Sequence, residues 1–505
     1  MDLILQGFIH AATLENLSYC LLGVTLGTFV GVLPGIGPLA SISMLLPVTF
    51  YLDPTTALIM LAGVYYGAEY GGSITSILIN LPGGTASAVT CLDGYPLARQ
   101  GKAGVALFVT TIASFVGGSI GIIILTLLTP LVLAVGLAFG PAEYVSVMVL
   151  GLLAAASISS DSPLKGIGMV VMGLLLGFVG TDINSGVMRY TLNLSDLFDG
   201  VSIVTLAMGV FGVTEIIDSV LTPKGQMIAG KIRLSSMIPN RNEVRRSVFP
   251  TLRGTMIGCL AGPLPGVGPA LASFVSYALE KRVARDPSRF GKGAVEGIAS
   301  PEAANNAAVQ TAFIPTLALG VPGSATMAVM MGALMIHGIA PGPNFIVKHP
   351  DIFWGLVASF WIGNVMLLVL NIPMIGVWVR LLQIPYRFLY PMIVMFMAIG
   401  AYSMNLSVFD IWLILAFGLF GYGMRLLGFP PAPLLIAFIL GPMMEENFRR
   451  ALLLGGGDFS IFILSPISGC LLALALALVV WFVLNGLRRR PPQEPDGEGA
   501  LSSAE

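Results

Sequence analysis

A six-residue helix breaker occurs twice in this chain. Leu33-Pro34-Gly35-Ile36-Gly37-Pro38 interrupts the first apolar stretch, and Leu264-Pro265-Gly266-Val267-Gly268-Pro269 interrupts another just past the middle. Inside a helix Pro and Gly are less favourable than Ala by about 3 and about 1 kcal/mol. Two of each in six residues therefore stop a helix outright. The surrounding runs are apolar enough for a bilayer: the 505 residues are 56% hydrophobic and 10% charged. A soluble protein carries about 25% charge. A helix stopped inside lipid leaves backbone groups unpaired, which is tolerated only where protein or a water-filled cavity satisfies them. The breakers predict hairpin tips at a polar site inside an all-α polytopic membrane protein.

Two more breaks follow the same logic, at Asn80-Leu81-Pro82-Gly83-Gly84 and at Gly320-Val321-Pro322-Gly323. Markers recur in order between the halves. The hairpin breakers correspond at an offset of 231, Asp53-Pro54 with Asp286-Pro287 at 233, Glu69 with Glu302 at 233, and Pro82-Gly83 with Pro322-Gly323 at 240. The chain thus divides into a first half (1–221: hairpin 17–50, broken helix 55–98, scaffold spans 103–221), a basic linker (222–249), a second half (250–487: hairpin 250–281, broken helix 294–338, scaffold spans 352–487) and a polar tail (488–505) expected to be disordered. At about 20 apolar residues per crossing, roughly 10 to 12 transmembrane spans fit, and residues 103–138 could hold two spans or one tilted helix.

Charge and length set the orientation of the hairpins. Each arm around 264–269 has about 13 residues, or about 20 Å at 1.5 Å per residue, against a hydrocarbon core of about 30 Å. Such a segment dips in and returns to the same side. Basic loops flank the second hairpin (Arg241, Arg245 and Arg246 before it; Lys281, Arg282 and Arg285 after it), whereas the first basic residue in the chain is Arg99. Positive loops stay cytoplasmic, so the two hairpins enter from opposite sides. This is the pattern of an inverted-topology repeat with its site near the midplane. Arg488, Arg489 and Arg490 place the C-terminus in the cytoplasm, and no basic n-region suggests a cleaved signal peptide.

Each break is followed by a new helix start. Pro38 and Pro269 suit a first helical position, and Thr85 and Ser324 suit N-caps. Helix N-termini carry unpaired N–H groups and about half a positive charge, so converging ends bind an anion without a buried arginine. The candidate substrate residues are Gly35, Gly37, Pro38, Gly83, Gly84, Thr85, Gly266, Gly268, Pro269, Gly323, Ser324 and Thr326. The candidate ion ligands are Asn80, Asn305, Asn306, Glu69 and Glu302, since carboxylates at membrane depth are functional candidates and side-chain and carbonyl oxygens suit Na⁺. The bland readings are kinks, interfacial carboxylates and interhelical amides. The scattered cysteines and histidines suggest no disulfide or metal set. Asp182, Asp196 and Asp199 read as loop residues, and Glu445, Glu446, Arg449 and Arg450 as a solvated helix end. No phosphate-binding Gly-x-x-x-x-Gly-Lys-Ser/Thr loop is present, so energy would come from an ion gradient or another subunit.

The paired LPGIGP and LPGVGP, the stretch YGAEYGGSITSILINLPGGTASAVTCLDGYP, and GAVEGIASPEAANNAAVQTAFIPTLALGVPGSATMAVMMGALMIHGIAPGP resemble the large membrane subunit, TctA, of the tripartite tricarboxylate transporters. The resemblance runs from about residue 15 to 487. It implies a non-enzymatic bacterial inner-membrane carrier working with a small four-helix membrane subunit (TctB-like) and a periplasmic solute-binding protein (TctC-like). It further implies import of organic anions such as citrate, driven by a cation gradient, with Na⁺ the expected coupling ion and no other cofactor. An elevator-like motion is expected by analogy of fold alone. The rival functions are a passive organic-anion channel and a membrane-embedded enzyme; no cluster of acids, histidines or metal ligands supports the latter.

Overall fold

Helix boundaries follow local chemistry closely. The computed structural model describes residues 2–33, 36–158, 162–182, 185–221, 234–264, 268–382 and 386–488. Among them the chain is α-helical apart from one short antiparallel pair, Gly180–Thr181 with Met188–Arg189. A short helix, Asp2–Ala11, precedes the first hairpin, whose arms are Leu14–Gly31 and Gly37–Thr49. The first broken helix starts at Pro54, where a missing N–H loses nothing, with Asp53 accepting from Thr55 N at 3.0 Å. It ends at Ile79, beyond which Asn80 takes the left-handed conformation at φ 57°. Its second piece, Ala88–Leu97, passes through a π turn over Ala98–Lys102 into one continuous helix, Ala103–Leu137. For 103–138, expected as two spans or one tilted helix plus a surface piece, one uninterrupted helix is observed.

The second hairpin is Arg241–Ala261 and Gly268–Val283. Its first arm starts inside the stretch assigned to the basic linker, because Asn240 and Glu243 close a capping box, which satisfies two orphan backbone donors at a helix start. Residues 222–233 of that linker lie outside the described residues. The second broken helix runs through Glu296–Thr311 and Phe313–Leu319, stops at Gly320 with φ 71°, and resumes as Ala325–Ile336. Other helices include Pro141–Ile158, Pro163–Gly177, Pro350–Asn371, Tyr386–Asn405, Val408–Leu426, Pro431–Leu454 and Pro466–Arg488. Among the described residues, three helical stretches are long and apolar enough to cross a membrane by length and composition: Ala88–Leu137, Pro350–Asn371 and Val408–Leu426. Shorter apolar helices include Gly37–Thr49, Pro163–Gly177 and Ala325–Ile336.

Each hairpin packs on its own broken helix, and the packing repeats residue by residue. A Cβ on Gly23, Gly27 or Gly31 would lie 2.3, 2.2 or 2.3 Å from the carbonyl oxygens of Met60, Val64 and Ala68. A Cβ on Gly254, Gly258 or Gly262 would lie 2.1, 2.2 or 2.4 Å from those of Ser300, Ala304 and Ala308. Only glycine permits backbones this close, as small residues do in membrane helix pairs. The hairpin positions differ by 231 and their partners by 240. Asn80 and Gly320, both left-handed, also differ by 240. This register corrects one alignment drawn from the sequence. At an offset of 240, Glu69 corresponds to Val309 and Glu302 to Ala62, so the two glutamates are not counterparts in the repeated packing. A nine-residue insertion in the loop between hairpin and broken helix separates the offsets 231 and 240, and matching Glu to Glu at 233 ignores most of it.

Candidate functional site

The four breaks meet in two pairs. Gly37, at φ 60°, approaches the second break, where a Cβ added to it would lie 3.6 Å from both the Gly83 carbonyl oxygen and Gly84 Cα. A Cβ on Gly84 would lie 3.3 Å from Cδ of Pro38. A Cβ added to Gly268, at φ 61°, would lie 3.7 Å from the Ser324 Cβ, and one added to Gly323 would lie 3.0 Å from the Gly262 carbonyl oxygen. Gly37 and Gly268 open the returning arms of their hairpins, with Pro38 and Pro269 one residue later than expected, at the second helical position. Glycine leads because the first residue takes a positive φ that other L residues adopt only under strain. Gly35 and Gly266 lie outside the described residues.

Ser324 caps its helix as expected, accepting from Met327 N at 3.3 Å. Thr85 does not. It is exposed in a turn, and the helix starts three residues later at Ala88. Ser87 organises this break instead, through bonds with Gly84 N at 3.1 Å and Gly84 O at 3.0 Å. A hydroxyl three residues along closes the turn more tightly than Thr85 could.

Between the pairs, the two broken helices bring buried polar groups face to face. Asn305 Nδ2 donates to Glu69 Oε2 at 2.9 Å. Glu302 accepts from the Thr90 hydroxyl and, at 3.3 Å, from Ser114 Oγ. Both carboxylates are buried, Glu69 at 4% and Glu302 at 1% exposure. Asn306 is buried as well, but its Nδ2 turns back to the Glu302 carbonyl on its own helix at 3.0 Å. Thr326 is buried near the second site, while Asn80 is exposed at its helix end.

Several neighbours escaped the reading of the sequence. Tyr65, 1% exposed, faces Ser324 and Thr326 without closing a hydrogen bond. Tyr66 donates to Gln310 Oε1 at 2.9 Å, and Tyr70 to Asn364 Oδ1 at 2.9 Å. Asp93 accepts from the backbone N–H of Gly293 and Ala294, each at 2.8 Å, and from Tyr277 at 3.0 Å. It ties the first broken helix to the second hairpin and the start of the second broken helix. The tyrosines had a usable signal: Tyr65 and Glu69 are four residues apart and so share a helix face. Asp93 had none, since its partners, two backbone N–H groups and the Tyr277 hydroxyl, lie some two hundred residues away.

The model of the tripartite tricarboxylate transporter TctA family matches residues 17–436. The chain belongs to that family. It is therefore a subunit of a transporter, not an enzyme, and its apolar helices place it in a membrane. A relative in Agrobacterium vitis, described as an uncharacterized 52.8 kDa protein in the TAR-I ttuC′ 3′ region, is 49% identical over 493 residues, covering 97% of this chain and 98% of its own. A second, described as an uncharacterized protein in the TAR-II ttuC′ 3′ region of the same organism, is 49% identical over 236 residues, 47% of this chain and 98% of its own length. No solved structure matches the chain.

Proposed function

We propose that this chain is the translocating subunit of a secondary carrier for di- or tricarboxylates. The observation that carries the reading is the pairing of the breaks: Gly37 with Gly84, and Gly268 with Ser324. Each pair presents a glycine-led helix start, and the second adds a serine-capped one. Such ends favour a carboxylate. The membership of the tricarboxylate transporter family supports the same substrate class. The twin packing supports two re-entrant hairpins in an inverted repeat, with the second hairpin opening to the cytoplasm beside Arg245, Arg246 and Lys281. In this reading a periplasmic solute-binding protein hands over the anion, a small TctB-like subunit completes the membrane complex, and a cation gradient, of Na⁺, drives import across the bacterial inner membrane. The hairpins and broken helices move as the carrier domain.

The test is uptake of labelled citrate and other di- and tricarboxylates into proteoliposomes holding this chain and its small partner. The liganded binding protein is added outside, with and without an inward Na⁺ gradient. Accumulation requiring both supports the carrier. Flux that runs without either favours the channel.

A further inference from the structure

Ion pairing at the open end of the second hairpin is uneven. Glu243 pairs with Lys102 at 2.7 Å, Glu280 with Arg253 at 3.0 Å, and Glu296 with Arg246 at 2.7 Å. The exposed Asp286 is taken by the backbone N–H and the hydroxyl of Ser288. Arg241 and Arg245 on the first arm, and Lys281 and Arg282 on the second, are exposed. Among the described residues none of these four forms an ion pair. Arg241 and Arg245 are one helical turn apart, a spacing at which like charges repel. The rim therefore carries positive charge that no carboxylate of the protein balances.

Deeper than this rim, the first arm is apolar on its outer face. Val244, Val248, Leu252, Met256 and Leu260 recur every four residues and are 43–70% exposed. Residues four apart share a helix face, so these five form one outward ridge. From Val248 to Leu260 the ridge rises about 18 Å at 1.5 Å per residue. One leaflet is half of a hydrocarbon core of about 30 Å, so the ridge starts at the headgroup layer and follows an acyl chain to its end. The other arm exposes Phe274, Val275 and Leu279 inward of Lys281 and Arg282. The Arg253–Glu280 pair sets Lys281 and Arg282 deeper than Arg245, so the cations line the headgroup layer at two levels. The first hairpin has no counterpart: its arms carry no lysine or arginine, and its open end holds the exposed Glu15 and Asp53.

We propose that the open end of the second hairpin is a binding site for an anionic phospholipid, with the headgroup phosphate on the rim of Arg241, Arg245, Lys281 and Arg282 and an acyl chain along the ridge of residues 248–260. An anionic leaflet gains roughly fivefold in binding for each Lys or Arg near its surface. The charge selects the headgroup, and the ridge distinguishes a lipid from a free anion. The site requires only the membrane location, not the carrier reading.

The experiment counts lipids. The full-length chain is placed in nanodiscs of equal parts phosphatidylglycerol and phosphatidylcholine, released into mild detergent, and its retained lipids are identified by native mass spectrometry. Wild type is expected to retain phosphatidylglycerol over phosphatidylcholine by roughly fivefold or more. Arg241→Gln with Arg245→Gln, and separately Lys281→Gln with Arg282→Gln, should each bring that ratio toward parity. Arg99→Gln with Lys292→Gln removes two exposed cations of the neighbouring loops and should leave the ratio within about twofold of wild type. Monodisperse elution and an unchanged melting temperature in phosphatidylcholine qualify each variant, and either hairpin pair decides the question where the other misfolds. Equal retention of the two lipids by wild type overturns the site and leaves the rim as a solvated charge. A ratio that survives in both folded hairpin pairs, or that falls as far in the Arg99 and Lys292 pair, overturns it too. Displacement of phosphatidylglycerol by millimolar inorganic phosphate overturns the lipid in favour of a soluble anion; retention in its presence upholds the lipid.

Discussion

Gly27→Ala and Gly258→Ala test the twin packing with a single methyl group each. An alanine Cβ at Gly27 would sit 2.2 Å from the Val64 carbonyl oxygen, and one at Gly258 would sit 2.2 Å from that of Ala304. Carbon–oxygen contacts settle near about 3.3–3.6 Å, so each helix pair must part by roughly 1 Å. The obstacle is backbone on both sides, so no side chain can rotate away. Overpacking of this kind costs about 1–3 kcal/mol, and for a chain of this size a loss of roughly 1–3 °C in melting temperature follows for each variant. The assay is thermal unfolding in detergent with a thiol-reactive dye, since Cys20 is buried and Cys91 and Cys259 are partly so. Gly168→Ala is the control. Nothing lies within 4 Å of its added Cβ, and alanine in a helix is favoured by roughly 0.5–1 kcal/mol over glycine. If Gly27→Ala and Gly258→Ala melt no lower than Gly168→Ala, the tight hairpin contact is refuted. If only one of them falls, the equivalence of the two hairpins fails.

Three other outcomes follow from named contacts. Asp93→Ala strands the backbone donors of Gly293 and Ala294 and the Tyr277 hydroxyl, at about 1–3 kcal/mol for each unsatisfied buried group, and should lower the melting temperature more than either glycine variant. Gly37→Val and Gly268→Val place a β-branched residue at φ 60° and 61°, a strain of order 1–3 kcal/mol; uptake should fall at least tenfold in protein that still elutes as a single species, and normal uptake would remove these glycines from the transport path. Glu243, at the polar start of its helix, is raised by burial but lowered overall by its bonds to Lys102 and Asn240 and by Arg246. A lowered carboxylate adds stability that is complete above its unfolded value and is lost as pH falls through the folded one. The melting-temperature gap between wild type and Glu243→Gln should therefore be widest at neutral pH and close below about pH 4.3; a gap that widens in acid contradicts the assignment.

The breaks were legible because Pro and Gly act locally: each stops a helix whatever surrounds it, and Leu33–Pro38 and Leu264–Pro269 do so in any fold. The start of the second hairpin was legible too, in Asn240 and Glu243, but basic residues on either side obscured an ordinary capping box. Register between the halves was not legible from single markers. Glu69 and Glu302 are the two glutamates buried in the broken helices, and identity of type suggested equivalence. Packing follows a different constraint. It is fixed by where a glycine meets a carbonyl, and that pattern, Gly23–Gly27–Gly31 against Gly254–Gly258–Gly262, was present in the sequence at the hairpin offset all along. The departure from symmetry matters for function. Two equivalent glutamates would imply two equivalent ion sites, one per half. Glutamates at non-equivalent positions, one accepting from the Thr90 and Ser114 hydroxyls and one from the Asn305 amide, carry no such implication. The repeat therefore fixes the glycine packing of the two halves, while the polar partners of each glutamate differ from one half to the other.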